Sequence, residues 1–203
     1  MPAWLTFQRV SLTYESMSRP LIEGLSVAFP TGWTGIVGAN GAGKSTILRL
    51  ATGELHPDAG RIGSPGNAIY CAQRTDEAPP ALDALLRSEE PHARALQGRL
   101  RLSPAWVDRW TSLSHGERKR AQIAVALWRS PLVLAIDEPT NDIDAEARGL
   151  LLDALRSFPG IGLLVSHDRP FLSRLTRMEW LIQAEGLRVE VPDRYDGSLE
   201  IAP

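Results

Sequence analysis

The chain is short of the features that mark secreted, membrane-embedded or nucleic-acid-coating proteins. Among 203 residues there is one cysteine, Cys71, so no internal disulfide forms and no cysteine quartet holds a metal. The longest apolar run, Ile123 to Trp128, is six residues, whereas a membrane-spanning helix needs roughly twenty. The opening Met1-Pro2-Ala3-Trp4-Leu5-Thr6-Phe7 has no basic segment followed by a long apolar one, so no secretory signal is expected. Neither sign of charge dominates: 22 Lys and Arg against 24 Asp and Glu give −2. A near-neutral chain has no global attraction to nucleic acid or anionic lipid. These absences predict a cytoplasmic protein that does not cross a membrane.

What is present is an ordinary globular balance, 43% hydrophobic and 23% charged, in a length that favours one domain with a sizeable core. Residues 3–10 and 24–29 alternate loosely between apolar and polar, as strands do. Thr34-Gly35-Ile36-Val37 predicts a short strand running into Gly38. A helix is expected from Lys44 to about Thr52, with Ile47, Leu48 and Ala51 on one face. Residues 67–72 predict another strand. From Arg74 to about Ser112 the prolines at 79, 80, 91 and 104 break the chain into short pieces. Their apolar residues (Leu82, Leu85, Leu86; Leu96, Leu100; Trp106, Trp110) are spaced for short amphipathic helices. This predicts a small helical subdomain, about 74–115, inserted between sheet elements. Helices are expected over 116–129 and 145–157, strands over 132–136 and 161–166, and loop from Pro192 onward. Buried apolar strands alternating with helices predict an α/β fold with a largely parallel sheet, in a single domain over 1–203.

Two motifs carry chemistry. Gly38-Ala39-Asn40-Gly41-Ala42-Gly43-Lys44-Ser45 satisfies G-x-x-x-x-G-K-[ST]. Glycines let the backbone curl so that successive N–H groups face inward as an anion nest. The helix starting near Lys44 adds its positive dipole end. Lys44 supplies a point charge to the outer phosphates, and Ser45 a hydroxyl ligand for Mg²⁺. The second motif is Asp137-Glu138, at the carboxyl end of an apolar strand, where open α/β sheets place their ligands. Asp137 is placed to hold the metal's water shell and Glu138 to polarise an attacking water. The plainer reading of the second pair is a cap on the turn Pro139-Thr140-Asn141.

With these in place the sequence resembles an ATP-binding cassette (ABC) nucleotide-binding domain, in order over nearly the whole chain. The resemblance implies an α/β P-loop NTPase core with an N-terminal antiparallel β subdomain and a short helical subdomain. It implies ATP and Mg²⁺ as ligands. It adds Gln73 as a metal and water contact, and Leu113-Ser114-His115-Gly116-Glu117 as the signature motif, written L-S-G-G-Q or L-S-G-G-E in the family. Asn141-Asp142-Ile143-Asp144 resembles the loop that links two nucleotide sites through Asp144. His167 in Ser166-His167-Asp168 resembles the histidine that touches the terminal phosphate. Tyr14 stands where the family puts an aromatic to stack on adenine. The implied nucleotide set is therefore Tyr14, Gly38, Asn40, Gly41, Ala42, Gly43, Lys44, Ser45, Thr46, Ser114, His115, Gly116, Glu117 and Asp144. The implied metal contacts are Ser45, Gln73 and Asp137, and the implied catalytic residues Glu138, His167, Gln73 and Lys44. Each added residue has a plainer reading: an edge-strand aromatic for Tyr14, a polar strand end for Gln73, a loop histidine for His167, and a helix capping box for Ser114 and Glu117. His115 departs from the family's first glycine. If that position needs an unusual backbone dihedral, histidine carries a cost there.

Glu138-Pro139-Thr140-Asn141-x-Ile143-Asp144 and Ser166-His167-Asp168-Arg169-Pro170-Phe171-Leu172 resemble the ABC-F branch, soluble cassette ATPases that act on ribosomes. That resemblance implies an ATPase that pairs with a second cassette, itself or another, with the ribosome or a nucleic acid as target. Two alternatives stay open: the ATP-binding subunit of a transporter acting on a separate membrane permease, and a nucleotide-gated interaction module with little hydrolysis. Arg118-Lys119-Arg120, with Arg99 and Arg101, offer either a modest basic patch or a solvated helix face.

Overall fold

A computed structural model describes residues 3–176, 178–183 and 186–190. Its centre is a six-stranded sheet built from β3 (Gly32–Gly38), β5 (Ala68–Cys71), β6 (Val133–Asp137), β7 (Ile161–Val165), β8 (Met178–Gln183) and β9 (Gly186–Glu190), in the order β5-β6-β7-β3-β8-β9. β5, β6, β7, β3 and β8 run parallel, and β9 turns back antiparallel at the edge. Every residue of β6 and β7 is buried. That is why their sequences, VLAID and IGLLV, read as nearly unbroken apolar runs instead of alternating.

Alternation decides what each face of the sheet meets. Leu134, Ile136 and Leu164 join one core with Trp33, Ala121, Ile123, Leu151 and Leu172. Val133, Ala135, Leu163 and Val165 join a second core with Phe7, Phe29, Ile47 and Leu48. The first face is covered by α4 (His115–Trp128), α5 (Ala145–Arg156) and α6 (Arg169–Leu175). The second is covered by α1 (Lys44–Thr52) and by a three-stranded antiparallel sheet, β2-β1-β4, made of β1 (Leu5–Leu12), β2 (Ile22–Phe29) and β4 (Ala59–Gly63). Asp137 has the parity of Val133 and Ala135, so the pleat turns it toward α1.

Between β5 and α4 lie α2 (Leu82–Arg87), α3 (Pro91–Arg99) and two 3-10 turns, Pro104–Trp106 and Trp110–Ser112. The expected apolar set, Leu82, Leu85, Leu86, Leu96, Leu100, Trp106 and Trp110, is buried there. The two tryptophans sit in 3-10 turns and not in a helix, because Pro104 starts one turn and Ser103 caps it through Ala105 N–H. β4, α6, β8 and β9 are additions to the sequence reading. The expected loop from Pro192 lies outside the described residues. Cys71 is 1% exposed, and burial pushes its thiol up to about 12, so it is an inert strand residue.

Candidate functional site

The strand order collects the predicted residues at one edge. β6, β7 and β3 are neighbours and parallel, so their carboxyl ends share a rim. β3 ends at Gly38, β6 ends at Asp137, and Ser166-His167 follow β7. Residues separated by more than a hundred positions in sequence are thus brought together by pairing alone.

The loop from Gly38 has the left-handed geometry its glycines allow: φ is +151° at Gly38, +80° at Gly41 and +94° at Gly43. At Gly38 a Cβ would also stand 2.6 Å from the Ile182 carbonyl oxygen of β8, so any side chain there would push the loop off the sheet. Gly43 sits at the head of α1 with no side-chain cap, which leaves the helix's first N–H groups facing the loop. Lys44 Nζ donates to the Gly38 and Ala39 carbonyls, both at 2.9 Å. Ser45 is exposed, whereas Thr46 is buried and its Oγ1 meets Tyr14 Oη at 3.1 Å. An open cleft of about 1410 Å³ runs beside the loop, lined by Ala39, Asn40, Gly41 and Ala42 on one side and the β1–β2 connection on the other. Tyr14 is not among its lining residues.

Asp137 is 4% exposed and accepts a hydrogen bond from Tyr70 Oη at 2.9 Å. Burial, together with the Asp137 charge, pushes the Tyr70 hydroxyl well above its ordinary value. Tyr70 was not singled out by the sequence reading; its partner is 67 positions away. Glu138 is 5% exposed and has a left-handed backbone, φ +44°. Its Oε2 accepts from His167 N–H at 3.1 Å, and its Oε1 lies 3.3 Å from His167 Nε2. The two do not form a hydrogen bond, and Oε1 is a buried acceptor with no hydrogen-bond donor among the described residues. An acceptor left in that condition is suited to a water's proton. The His167 ring is more than half exposed. Beside the pair, Thr140 and Ser166 share a buried hydroxyl–hydroxyl bond of 2.9 Å, which ties the turn after β6 to the turn after β7.

No group of three or more His, Cys, Asp or Glu able to cage a metal occurs among the described residues. The oxygens at the rim, the exposed Ser45 hydroxyl and the Asp137 carboxylate, are few and of the hard kind that Mg²⁺ takes together with phosphates and waters.

Ser114, His115, Gly116 and Glu117 head α4. Ser114 Oγ accepts from Glu117 N–H at 3.2 Å, and the Glu117 carboxylate accepts from Ser114 N–H at 2.8 Å, closing a capping box. The Ser114 backbone bond holds the Glu117 carboxyl below its usual range. His115 is the first residue of the helix and is not among the residues with positive φ. The strain that an unusual dihedral would have imposed is absent. Gly116 is the position with a steric demand: a Cβ there would lie 3.2 Å from Ala147 Cβ on α5. His115→Gly is therefore expected to leave ATP turnover within about twofold and to lower stability by a few tenths of a kcal/mol, the propensity difference. Thermal unfolding and phosphate release measure both. A tenfold fall in turnover would give the imidazole a specific task.

Asp144 caps α5, its Oδ1 accepting from Ala147 N–H at 2.7 Å, and Asp168 caps α6 through Phe171 N–H. Gln73 is exposed in the bend after β5.

Of the basic residues near α4, Arg118, Lys119 and Arg120 are half-buried or buried, whereas Arg99 and Arg101 are exposed. Arg120 Nη1 donates to the Leu100 carbonyl at 2.8 Å and its guanidinium stacks 5.1 Å from the Trp106 ring centroid. Arg118 bonds the Thr111 carbonyl and lies over Trp110. Arg99 bonds Ser157, and Arg101 pairs with Glu146. Lys119 is buried, and desolvation pushes its pKa down to about 8. Arg118, Lys119 and Arg120 thus each donate to a backbone carbonyl of another segment, while Arg99 and Arg101 bond side chains at the surface.

A family model described as "ABC transporter" matches residues 22–141, more than half of the chain. The chain belongs to that ATP-binding cassette family. The cassette is 38% identical over 183 residues to the energy-dependent translational throttle protein EttA of Haemophilus influenzae, covering 81% of this chain and 32% of EttA. It is 33% identical to the ATP-binding protein Uup of Caulobacter vibrioides, over 91% of this chain and 33% of that protein. These relatives are of the ABC-F branch, and the chain spans about a third of their length. Among solved structures the cassette superposes on an ATP-binding subunit of an ABC transporter with a TM-score of 0.77 at 20% identity, over 93% of this chain and 90% of that one. It also superposes on a bacterial Atm1-family ABC exporter with ATP bound, with a TM-score of 0.73 at 22% identity, over 90% of this chain and 37% of that one. At these identities the structural likeness speaks for the fold. The cassette is an ATP-binding domain, and no helix among its described residues is long and apolar enough to cross a membrane.

Proposed function

We propose that this cassette hydrolyses ATP with Mg²⁺ in the cytoplasm, as one of two facing cassettes, and that the closed pair acts on the ribosome. The whole chain, 1–203, serves as one cassette, with 74–115 as its helical insert. The observation that carries the reading is the shared rim: the Lys44 loop, Asp137, and the Glu138–His167 pair stand at the carboxyl ends of three adjacent parallel strands.

The residues divide the work as follows. The N–H groups of Gly38 to Ser45 and the Lys44 ammonium bind the phosphates of ATP. Ser45, Asp137 and Gln73 would hold Mg²⁺, which would neutralise charge on the transferred phosphoryl. Tyr70 fixes one oxygen of Asp137. Glu138 orients and deprotonates the attacking water with its unpartnered Oε1. His167 senses the terminal phosphate and is oriented by Glu138. Tyr14 supports the adenine end. A second cassette closes the site with its own Ser114-His115-Gly116-Glu117 helix end, and Asp144 links the two sites. Most of the catalysis is positioning plus electrostatics. ATP favours the closed pair because its contacts to two cassettes exist only there.

The ribosome enters through the relatives, among them a protein named as a translational throttle. Phosphate release from Mg-ATP should rise more steeply than linearly with protein concentration, and the chain should sediment with ribosomes in ATP but not in ADP. Turnover per protomer that stays constant down to nanomolar protein would sink the two-cassette reading. Equal pelleting in both nucleotides would sink the ribosome.

A further inference from the structure

Lys119 lies two residues beyond the capping box of α4 and is 3% exposed. An ammonium carries three N–H donors, and here each has an acceptor: Ala72 O at 2.7 Å, Gln73 O at 3.0 Å and Gln122 Oε1 at 3.0 Å. Gln122 reinforces the arrangement, its Nε2 donating to the same Ala72 oxygen at 3.3 Å. The clamped peptide follows the last residue of β5, Cys71, and carries Gln73 itself. The exposed Gln73 side chain makes no hydrogen bond to the described residues, so its position is set by its backbone.

An apolar side chain would fill the same space at lower cost, because burying an ammonium is expensive unless every donor is met. What an apolar side chain would not do is say where the carbonyls of residues 72 and 73 stand. The same helix presents Ser114 to Glu117 at its N-terminus. Lys119 is therefore the point at which this chain's own metal-side bend is bonded to the helix end that faces another cassette's nucleotide.

We infer that Lys119 is a positioning residue, which places Gln73 through its backbone and locks it to the N-terminal turn of α4. The inference deepens the ATPase reading above and rests on it. The phosphate loop joins β3 to α1, and the hydrogen bonds of Lys119 go to neither, so ATP affinity and turnover should separate.

The test uses the full chain with Lys119→Met and Lys119→Gln, each alone and combined with Gln73→Ala. Lys119→Met is expected to bind ATP within about twofold of wild type and to lose about tenfold or more in kcat, since displacements of an ångström cost on that scale. Lys119→Gln, which keeps two amide donors, should recover part of the loss and covers the case in which the Met variant does not fold. With Gln73→Ala already present, Lys119→Met should cause no further fall, because both changes remove one unit. Amide hydrogen exchange over residues 72–75 should quicken about tenfold in Lys119→Met while β6 stays protected. Unchanged kcat, or losses that multiply with Gln73→Ala, would overturn the positioning role. Unchanged exchange would overturn the clamp. A wild-type chain that binds ATP without turnover would instead fail the ATPase reading, with the exchange result still judging the clamp.

Discussion

Glu138→Gln is expected to bind ATP as tightly as the wild type and to hydrolyse it about 10²–10⁴-fold more slowly, the usual worth of a positioned acid or base. Glutamine is nearly isosteric. Its carbonyl oxygen still accepts from His167 N–H, a bond now 3.1 Å long, so the turns after β6 and β7 keep their contact. The amide cannot take a proton, and the oxygen now buried without a partner becomes an NH₂ group or loses its charge. Binding should survive because the proposed phosphate site, the Gly38–Ser45 loop, follows a different strand. Single-turnover phosphate release beside calorimetric ATP binding separates the two quantities, and sedimentation should show the paired form accumulating in ATP. Normal turnover would remove Glu138 from water activation.

Lys44→Ala should act on the other quantity. Its ammonium is anchored by the Gly38 and Ala39 carbonyls at 2.9 Å, which places the charge over the loop before any phosphate arrives. Losing a charge-assisted hydrogen bond of about 1.5–3 kcal/mol corresponds to about 10- to 100-fold weaker ATP binding. The fold should be little affected, because Ala39 is exposed and Gly38 half-buried, so water can satisfy the freed carbonyls. Titration of ATP at fixed Mg²⁺, with thermal unfolding as the control, measures both. Affinity equal to wild type would take the lysine out of the phosphate site.

The parts of the site that could be read from the sequence are those written within a few residues. The phosphate loop is one, because glycine spacing and a following helix specify it locally. The capping box at Ser114 and Glu117 is another. The buried strands β6 and β7 are a third, since burial on both faces leaves an apolar run. β4 was invisible for the opposite reason: four of its five residues are exposed, and it is a strand only because β1 pairs with it. The sequence marks neither β8 nor β9, yet β8 pairs with β3 and β9 with β8. Lys119 and Arg120 read as surface charge because their acceptors come from distant segments. Ala72 is 47 positions from Lys119, and Leu100 is 20 from Arg120.

The sequence by itself determined that a glycine-rich loop before a helix, a pair of carboxylates after a buried strand and a capped helix are present, because backbone freedom, hydrophobic period and capping act over one to four residues. Only the tertiary structure decided that they share one rim, that Tyr70 holds Asp137, that Glu138 keeps an unpaired oxygen beside His167, and that Lys119 is buried. Each of those depends on which strands pair and in what register, and hydrogen bonding across a parallel sheet leaves no mark on the order of residues within a strand.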